Sequence, residues 1–123
     1  MDTLTRDSRI RAFRATDAFA VEAYEVARHL VGSAHGGLAR EIRRTAVRSG
    51  GAVVAASANA RGGAAERGLL ERARDDLIES RYYLYLARRF GALDAKRYRA
   101  LTARQDVALR ELDGLLATPS VPR

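Results

Sequence analysis

The stretch Leu38-Ala39-Arg40-Glu41-Ile42-Arg43-Arg44-Thr45-Ala46-Val47-Arg48-Ser49-Gly50-Gly51-Ala52-Val53 decides how the rest of the chain is read. Leu38, Ile42, Thr45, Ser49 and Val53 follow one another at steps of three or four, and Ala56 and Ala60 extend the series. Such steps place one residue per turn on a single helical face, as in a heptad seam. Counted at 100° per residue from Leu38, Arg40, Arg43, Arg44 and Arg48 fall at about 200°, 140°, 240° and 280°, opposite the seam. The segment is therefore predicted as an amphipathic helix over about residues 38–60 with arginines along its outer face. Beyond Ile42 the seam side chains are small, which lets neighbouring backbones approach. Two glycines in a helix interior cost roughly 1 kcal/mol each relative to Ala. Gly50-Gly51 therefore predicts a kink or a very close helix contact.

On either side of this helix the chain is punctuated by glycine. Breaks are expected at Gly32-Ser33-Ala34-His35-Gly36-Gly37, at Arg61-Gly62-Gly63 and at Gly91. Basic Arg88 and Arg89 precede Gly91, as at a helix C-terminus, and Asp94 reads as the N-cap of the helix that follows. Thr16 or Asp17 reads as the cap of a first helix over about residues 14–31, with Phe19, Ala23, Val26, Ala27 and Leu30 on its inner face. A third helix over about residues 65–90 carries Leu70, Ala73, Leu77, Leu84 and Ala87 in register, with Ser80 on the same stripe. Ile78 and Leu86 lie off that stripe and predict a second buried face. A fourth, over about residues 94–117, carries Tyr98, Leu101, Ala108, Leu112 and Leu115. Four amphipathic helices with short connections predict an all-α antiparallel up-down-up-down four-helix bundle. The expected organisation is an N-terminal arm over 1–13, the bundle over 14–117 and a tail over 118–123 that holds Pro119 and Pro122.

Composition agrees with one helical domain. The chain has 123 residues, 47% of them hydrophobic and 30% charged, and it has no Cys and no Trp. Without Cys there is no disulfide framework, thiolate metal site or thiol nucleophile. No apolar run approaches the roughly 18–20 residues of a membrane span. The charged N-terminus does not read as a signal peptide. No membrane association and a cytoplasmic location are expected.

The charge balance is +7, with a pI near 10.7. More than half of that excess falls in residues 35–61, where Arg40, Arg43, Arg44, Arg48 and Arg61 face Glu41 alone. The arginine fork binds two phosphate oxygens at once. Arg40, Arg43, Arg44 and Arg48 are thus the candidate nucleic-acid contacts, against the plainer reading of a solvated face.

Other chemistries find little support. His29 and His35 flank a turn, and neither stands at Glu-x-x-His spacing, so no metal site is expected. Asp75, Asp76 and Glu79 lack a second acidic cluster and are expected to pair along their own helix with Arg72, Arg74 and Arg81. Neither glycine pair continues into the Lys-Ser/Thr of a phosphate loop. No enzymatic activity and no cofactor are expected. Tyr82, Tyr83 and Tyr85 crowd too small an arc to share one core face. They are the candidate oligomer or partner interface, because tyrosine combines apolar area with a polar tip.

Two stretches carry a resemblance. Leu38-Ala39-Arg40-Glu41-Ile42-Arg43-Arg44-Thr45-Ala46-Val47 is similar to a Leu-x-x-Gln-Ile/Leu-Arg-Arg-Ala-Ala-x segment. Leu77, Glu79, Tyr82, Leu84, Leu86, Ala87, Gly91 and Leu93 are similar to a Leu-x-Glu-x-x-Tyr-x-Leu-x-Leu-Ala-x-x-x-Gly-x-Leu run. Both belong to the bacterial four-helix-bundle proteins first noticed as reading frames in intervening sequences of large-subunit ribosomal RNA genes. That superfamily includes the accessory variability protein of diversity-generating retroelements. The resemblance spans about residues 13–116.

The resemblance implies a ring-shaped homo-oligomer, typically a homopentamer. In the retroelement branch it also implies a basic surface for template RNA and a reverse transcriptase partner. For the ribosomal intervening-sequence branch it implies no function, and the alternative reading of the residues is a ring-forming protein–protein adaptor or scaffold of that type with no direct nucleic-acid role. Late in the second helix the family has Ser-x-Pro and then Asn-Ile-Ala-Glu-Gly. This chain has Arg48-Ser49-Gly50 and Ala52-Val53-Val54-Ala55-Ala56, so the roles of that Asn and Glu are not carried over.

Overall fold

The computed structural model describes residues 6–30, 32, 34–60 and 63–117. They form four helices: α1 (Arg6–Leu30), α2 (Gly36–Ala58), α3 (Ala64–Arg89) and α4 (Ala95–Ala117). α1 packs on α2 and α4, and α3 packs on the same two, so the helices occupy the corners of a square in chain order. Side-chain pairs give the direction. Arg44 of α2 meets Glu79 and Arg48 meets Asp76, so ascending α2 is descending α3. Arg74 with Asp113 and Arg81 with Asp106 show the same for α3 and α4. Arg11 with Glu111 shows it for α1 and α4. Among the described residues there is no strand, and no helix is long and apolar enough to cross a membrane.

The inner faces are the ones that periodicity picks out. Phe19, Ala23, Val26, Ala27 and Leu30 of α1 are buried, as are Ile42, Thr45, Ser49, Val53 and Ala56 of α2. Leu70, Ala73, Leu77, Leu84 and Ala87 line α3, and Leu101, Ala108, Leu112 and Leu115 line α4. The polar members of the seams are satisfied within their own helices. Thr45 donates to the Glu41 carbonyl at 2.9 Å, Ser49 to Ala46 at 2.8 Å and Ser80 to Leu77 at 2.7 Å.

The turn between α3 and α4 is built as the residues require. Gly91 takes φ +74°, a left-handed conformation that favours glycine. The Ala92 N–H donates to the Ala87 carbonyl at 2.9 Å and the Gly91 N–H to Arg88 at 3.1 Å. This paired closure satisfies two of the orphan carbonyls at the end of α3. Asp94 Oδ1 accepts the Arg97 N–H at 2.8 Å and caps α4.

Four expectations are corrected. The first helix begins at Arg6, so residues 6–13 belong to α1, and Ala12 is fully buried. Residues 1–5 of the expected arm, Val31, the Arg61-Gly62 turn and the tail at 118–123 lie outside the described residues. Thr16 is no cap; it sits buried inside α1 and donates to the Ala12 carbonyl at 2.8 Å. Periodicity missed this start because Arg6, Arg9, Arg11 and Arg14 make the first turns too polar for a clear stripe.

Gly50 and Gly51 serve no close contact. A Cβ added at either would meet no neighbouring atom within 4 Å, and α2 runs unbroken past them. Nor does α3 have a second buried face, since Ile78 is exposed and Leu86 only half-buried.

Two buried polar contacts were not legible in the sequence. Arg9 reaches Glu66, with Nε 2.8 Å from Oε2 and Nη2 3.2 Å from Oε1. The pair ties the start of α1 to the start of α3, and Glu66 is only 1% exposed. Gln105, fully buried on α4, donates to the Leu77 carbonyl at 2.6 Å and to Ser80 Oγ at 2.8 Å, and accepts from Arg81 Nε at 2.6 Å.

Candidate nucleic-acid interface

The arginines of α2 point outward, but they do not act as one row. Helix geometry divides them between two neighbours. Arg40 is exposed, and it has no ion-pair partner among the described residues. Arg43 leans towards α1, with its guanidinium 5.7 Å from the centre of the Tyr24 ring. A cation over an aromatic face keeps its charge and its outward donors.

Arg44 and Arg48 lean the other way, onto α3. Arg44 Nη2 lies 2.7 Å from Glu41 Oε1 and 2.8 Å from Glu79 Oε2. These two carboxylates hold the Arg44 proton more tightly than usual. Arg48 Nε lies 3.8 Å from Asp76 Oδ2. Arg40 and Arg43 are thus the open half of the expected phosphate contact, and Arg44 and Arg48 are already neutralised.

The acidic cluster on α3 is the reason. Asp76 and Glu79 face α2 and form their close ion pairs with Arg48 and Arg44 there; of the expected partners on their own helix, only the charge of Arg72 acts on Asp76. Arg74 and Arg81 instead cross to Asp113 and Asp106 of α4. The two carboxylates experience opposite fields. Burial pushes the Asp76 carboxyl above the ordinary aspartate range, with Arg48 opposing. Hydrogen bonds from Tyr83 and Arg44 hold the Glu79 carboxyl below the ordinary glutamate range.

The tyrosines separate as their crowding implies. Tyr82 is 57% exposed and Tyr85 43%. Tyr83 lies against the core and donates its hydroxyl to Glu79. Tyr85 accepts from Arg89 Nη1 at 3.1 Å. With Ile78, 45% exposed, Tyr82 and Tyr85 stand at i, i+4 and i+7 and form one apolar stripe on the outside of α3.

His35 stacks on Phe90 with centroids 5.9 Å apart, joining the start of α2 to the end of α3, and His29 is exposed. Among the described residues no three His, Asp or Glu side chains converge as a metal site would need. A groove of about 380 Å³ opens at the other end of the bundle, where Arg6, Ile10, Phe13 and Ser57 line it.

One basic surface escaped the sequence reading. Between Asp94 and Asp106 the chain carries Lys96, Arg97, Arg99 and Arg104 and no acid. All four are exposed, as is Arg110 further along α4. None has an ion pair among the described residues. The net charge of the segment hid them, because Asp106, Glu111 and Asp113 gather in the second half of the same helix. Charge counted per half-helix would have found them.

No protein-family model matches this chain, and no curated protein matches it. Among solved structures, the bundle is similar to the crystal structure of a protein of unknown function from Bacteroides thetaiotaomicron VPI-5482, of the S23 ribosomal protein family. The TM-score is 0.81 at 18% identity, over 90% of this chain and 99% of the other. At that identity the likeness establishes the fold, an all-helical four-helix bundle.

Proposed function

We propose that this chain is a non-catalytic basic accessory protein that binds the phosphate backbone of RNA or DNA. The observation that carries this reading is that Arg40, exposed on α2, and Arg43, half-buried beside Tyr24, have no carboxylate ion-pair partner among the described residues. The +7 charge of the chain works in the same direction by raising the local concentration of a polyanion. Backbone neutralisation gives affinity without sequence preference, and it weakens steeply with salt.

The sequence resemblance extends the proposal. In the retroelement branch the chain would act in the cytoplasm as a homopentameric ring that holds template RNA and a reverse transcriptase. The exposed stripe of Ile78, Tyr82 and Tyr85 is the surface offered for self-association. Repeating Arg40 and Arg43 around a ring would make weak single contacts multivalent.

A second reading is favoured by Arg44 and Arg48. Their internal carboxylate partners leave half of the expected stripe unavailable to phosphate. On that reading the chain is a ring-forming adaptor or scaffold of the ribosomal intervening-sequence type. The tyrosine stripe would then bind protein and nothing would bind nucleic acid.

Fluorescence anisotropy of a labelled RNA with the protein and with Arg40→Glu/Arg43→Glu separates the two. Binding that the double variant weakens supports the first. No binding at low salt supports the second.

A further inference from the structure

The N-terminal half of α4 presents a cationic surface that neither the arginine seam of α2 nor the sequence resemblance points to. Lys96, Arg97, Arg99 and Arg104 stand on the solvent side of the helix, while its apolar side, with Leu101, Ala108 and Leu112, is buried. In contrast to Arg44, Arg48, Arg74 and Arg81, none of the four is in an ion pair among the described residues, although the charge of Arg97 reaches Glu25 of α1. With Arg110 the row extends fourteen residues, about 21 Å at 1.5 Å per residue. Each strand of a duplex presents one phosphate charge per roughly 3.4 Å of axis, so a row of that length runs beside about six phosphates of one strand.

The character of the row selects its occupant. Its exposed spacers are Ala100, Ala103, Val107 and Asp106, the last already paired with Arg81 of α3. No Trp, Phe or Leu stands among them to enter a lipid headgroup layer, which a membrane-surface helix needs. No aromatic anchor stands among them either, which a protein partner's hot spot needs. Free cations with small spacers suit a charged backbone read without base contacts.

We propose that this face of α4 is the principal nucleic-acid backbone contact of the protein, and that Arg40 and Arg43 on the diagonally opposite helix are a secondary one. The proposal rests on the nucleic-acid reading above and assigns its main surface. The carboxylates explain the difference: α3 quenches half of the α2 arginines, whereas among the described residues no carboxylate forms an ion pair with the first half of α4 and only Glu25 acts on it, at longer range through Arg97.

The test compares three variants of the full chain against a labelled 20-nucleotide RNA and a 20-base-pair DNA across a salt series. The first is Lys96→Gln/Arg97→Gln/Arg99→Gln/Arg104→Gln. The second is Arg40→Gln/Arg43→Gln. The third, Arg6→Gln/Arg11→Gln/Arg14→Gln/Arg72→Gln, removes the same charge as the first from the other end of the bundle. Circular dichroism checks that each keeps its helices.

The first variant should lose roughly tenfold or more in affinity, and its log–log salt slope should fall by about three. The second and third should lose less. Tight binding by the wild type that the first variant leaves unchanged, or weakens no more than the third does, overturns the proposal and spares the nucleic-acid reading. Failure of the wild type to bind either polynucleotide overturns both, as does binding only to phosphatidylserine vesicles.

Discussion

Arg44 sits between two carboxylates, 2.7 Å from Glu41 and 2.8 Å from Glu79, so the centre of the expected phosphate stripe is already occupied. A phosphate approaching Arg44 must displace ion pairs that the fold supplies at no cost in association. Arg44→Gln should therefore change RNA affinity less than Arg40→Gln does. It should lower the melting temperature only slightly, because exposed ion pairs add little to stability. Parallel titrations and melts of the two variants check this.

Asp76 and Glu79, one turn apart, should show opposite pH signatures. Burial raises the folded-state value of Asp76, so its ionisation opposes folding. That cost is absent in strong acid and grows as pH rises through the raised value. Asp76→Asn should therefore melt higher than the wild type at pH 7, and the gain should vanish by about pH 3. Glu79 is held below its ordinary value. Its contribution is complete above the usual glutamate range and fades as pH falls through the lowered value. Glu79→Gln should melt lower at pH 7 and match the wild type in strong acid. Thermal melts across pH read both.

Gln105 closes a buried polar junction among Leu77, Ser80 and Arg81. Gln105→Leu keeps the volume but leaves the Arg81 Nε without its acceptor. The expected cost is about 2 kcal/mol. For a chain of this size that lowers the melting temperature by several degrees. Denaturant unfolding should show the loss with an unchanged m-value.

Tyr82 and Tyr85 are exposed, and helical packing inside one chain does not need them. Tyr82→Ala/Tyr85→Ala should leave the helical signal intact and reduce the mass in solution towards the 13.5 kDa of a single chain. A wild type that already runs as a monomer, or a variant that assembles as well as the wild type, would show that this stripe does not drive self-association.

Much of the fold was legible because helix periodicity and end signals are local. Ile42 to Val53 and Leu70 to Leu84 mark their inner faces by spacing alone, and Gly91 with Asp94 marks a turn by conformation and capping. The start of α1 was not legible. Arg9 looks like a surface residue until Glu66, from another helix, comes within 2.8 Å. The same long-range pairing decided the candidate site. Spacing places Arg40, Arg43, Arg44 and Arg48 on one outer face, but only the packing of α2 on α3 shows which of them meet acids. Gly50-Gly51 misled for a related reason: glycine's tolerance of close approach is visible in sequence, and the absence of a neighbour is not.

The proposed binding of this bundle to the phosphate backbone of nucleic acid depends on charge. The most direct measurement is the anisotropy of a labelled RNA with the wild-type protein, titrated from about 50 to 200 mM salt. Backbone neutralisation should give micromolar or tighter binding at the low end, with log affinity falling linearly against log salt at a slope of several units. An RNA that stays unbound at 50 mM salt, or one whose affinity ignores salt, would contradict it.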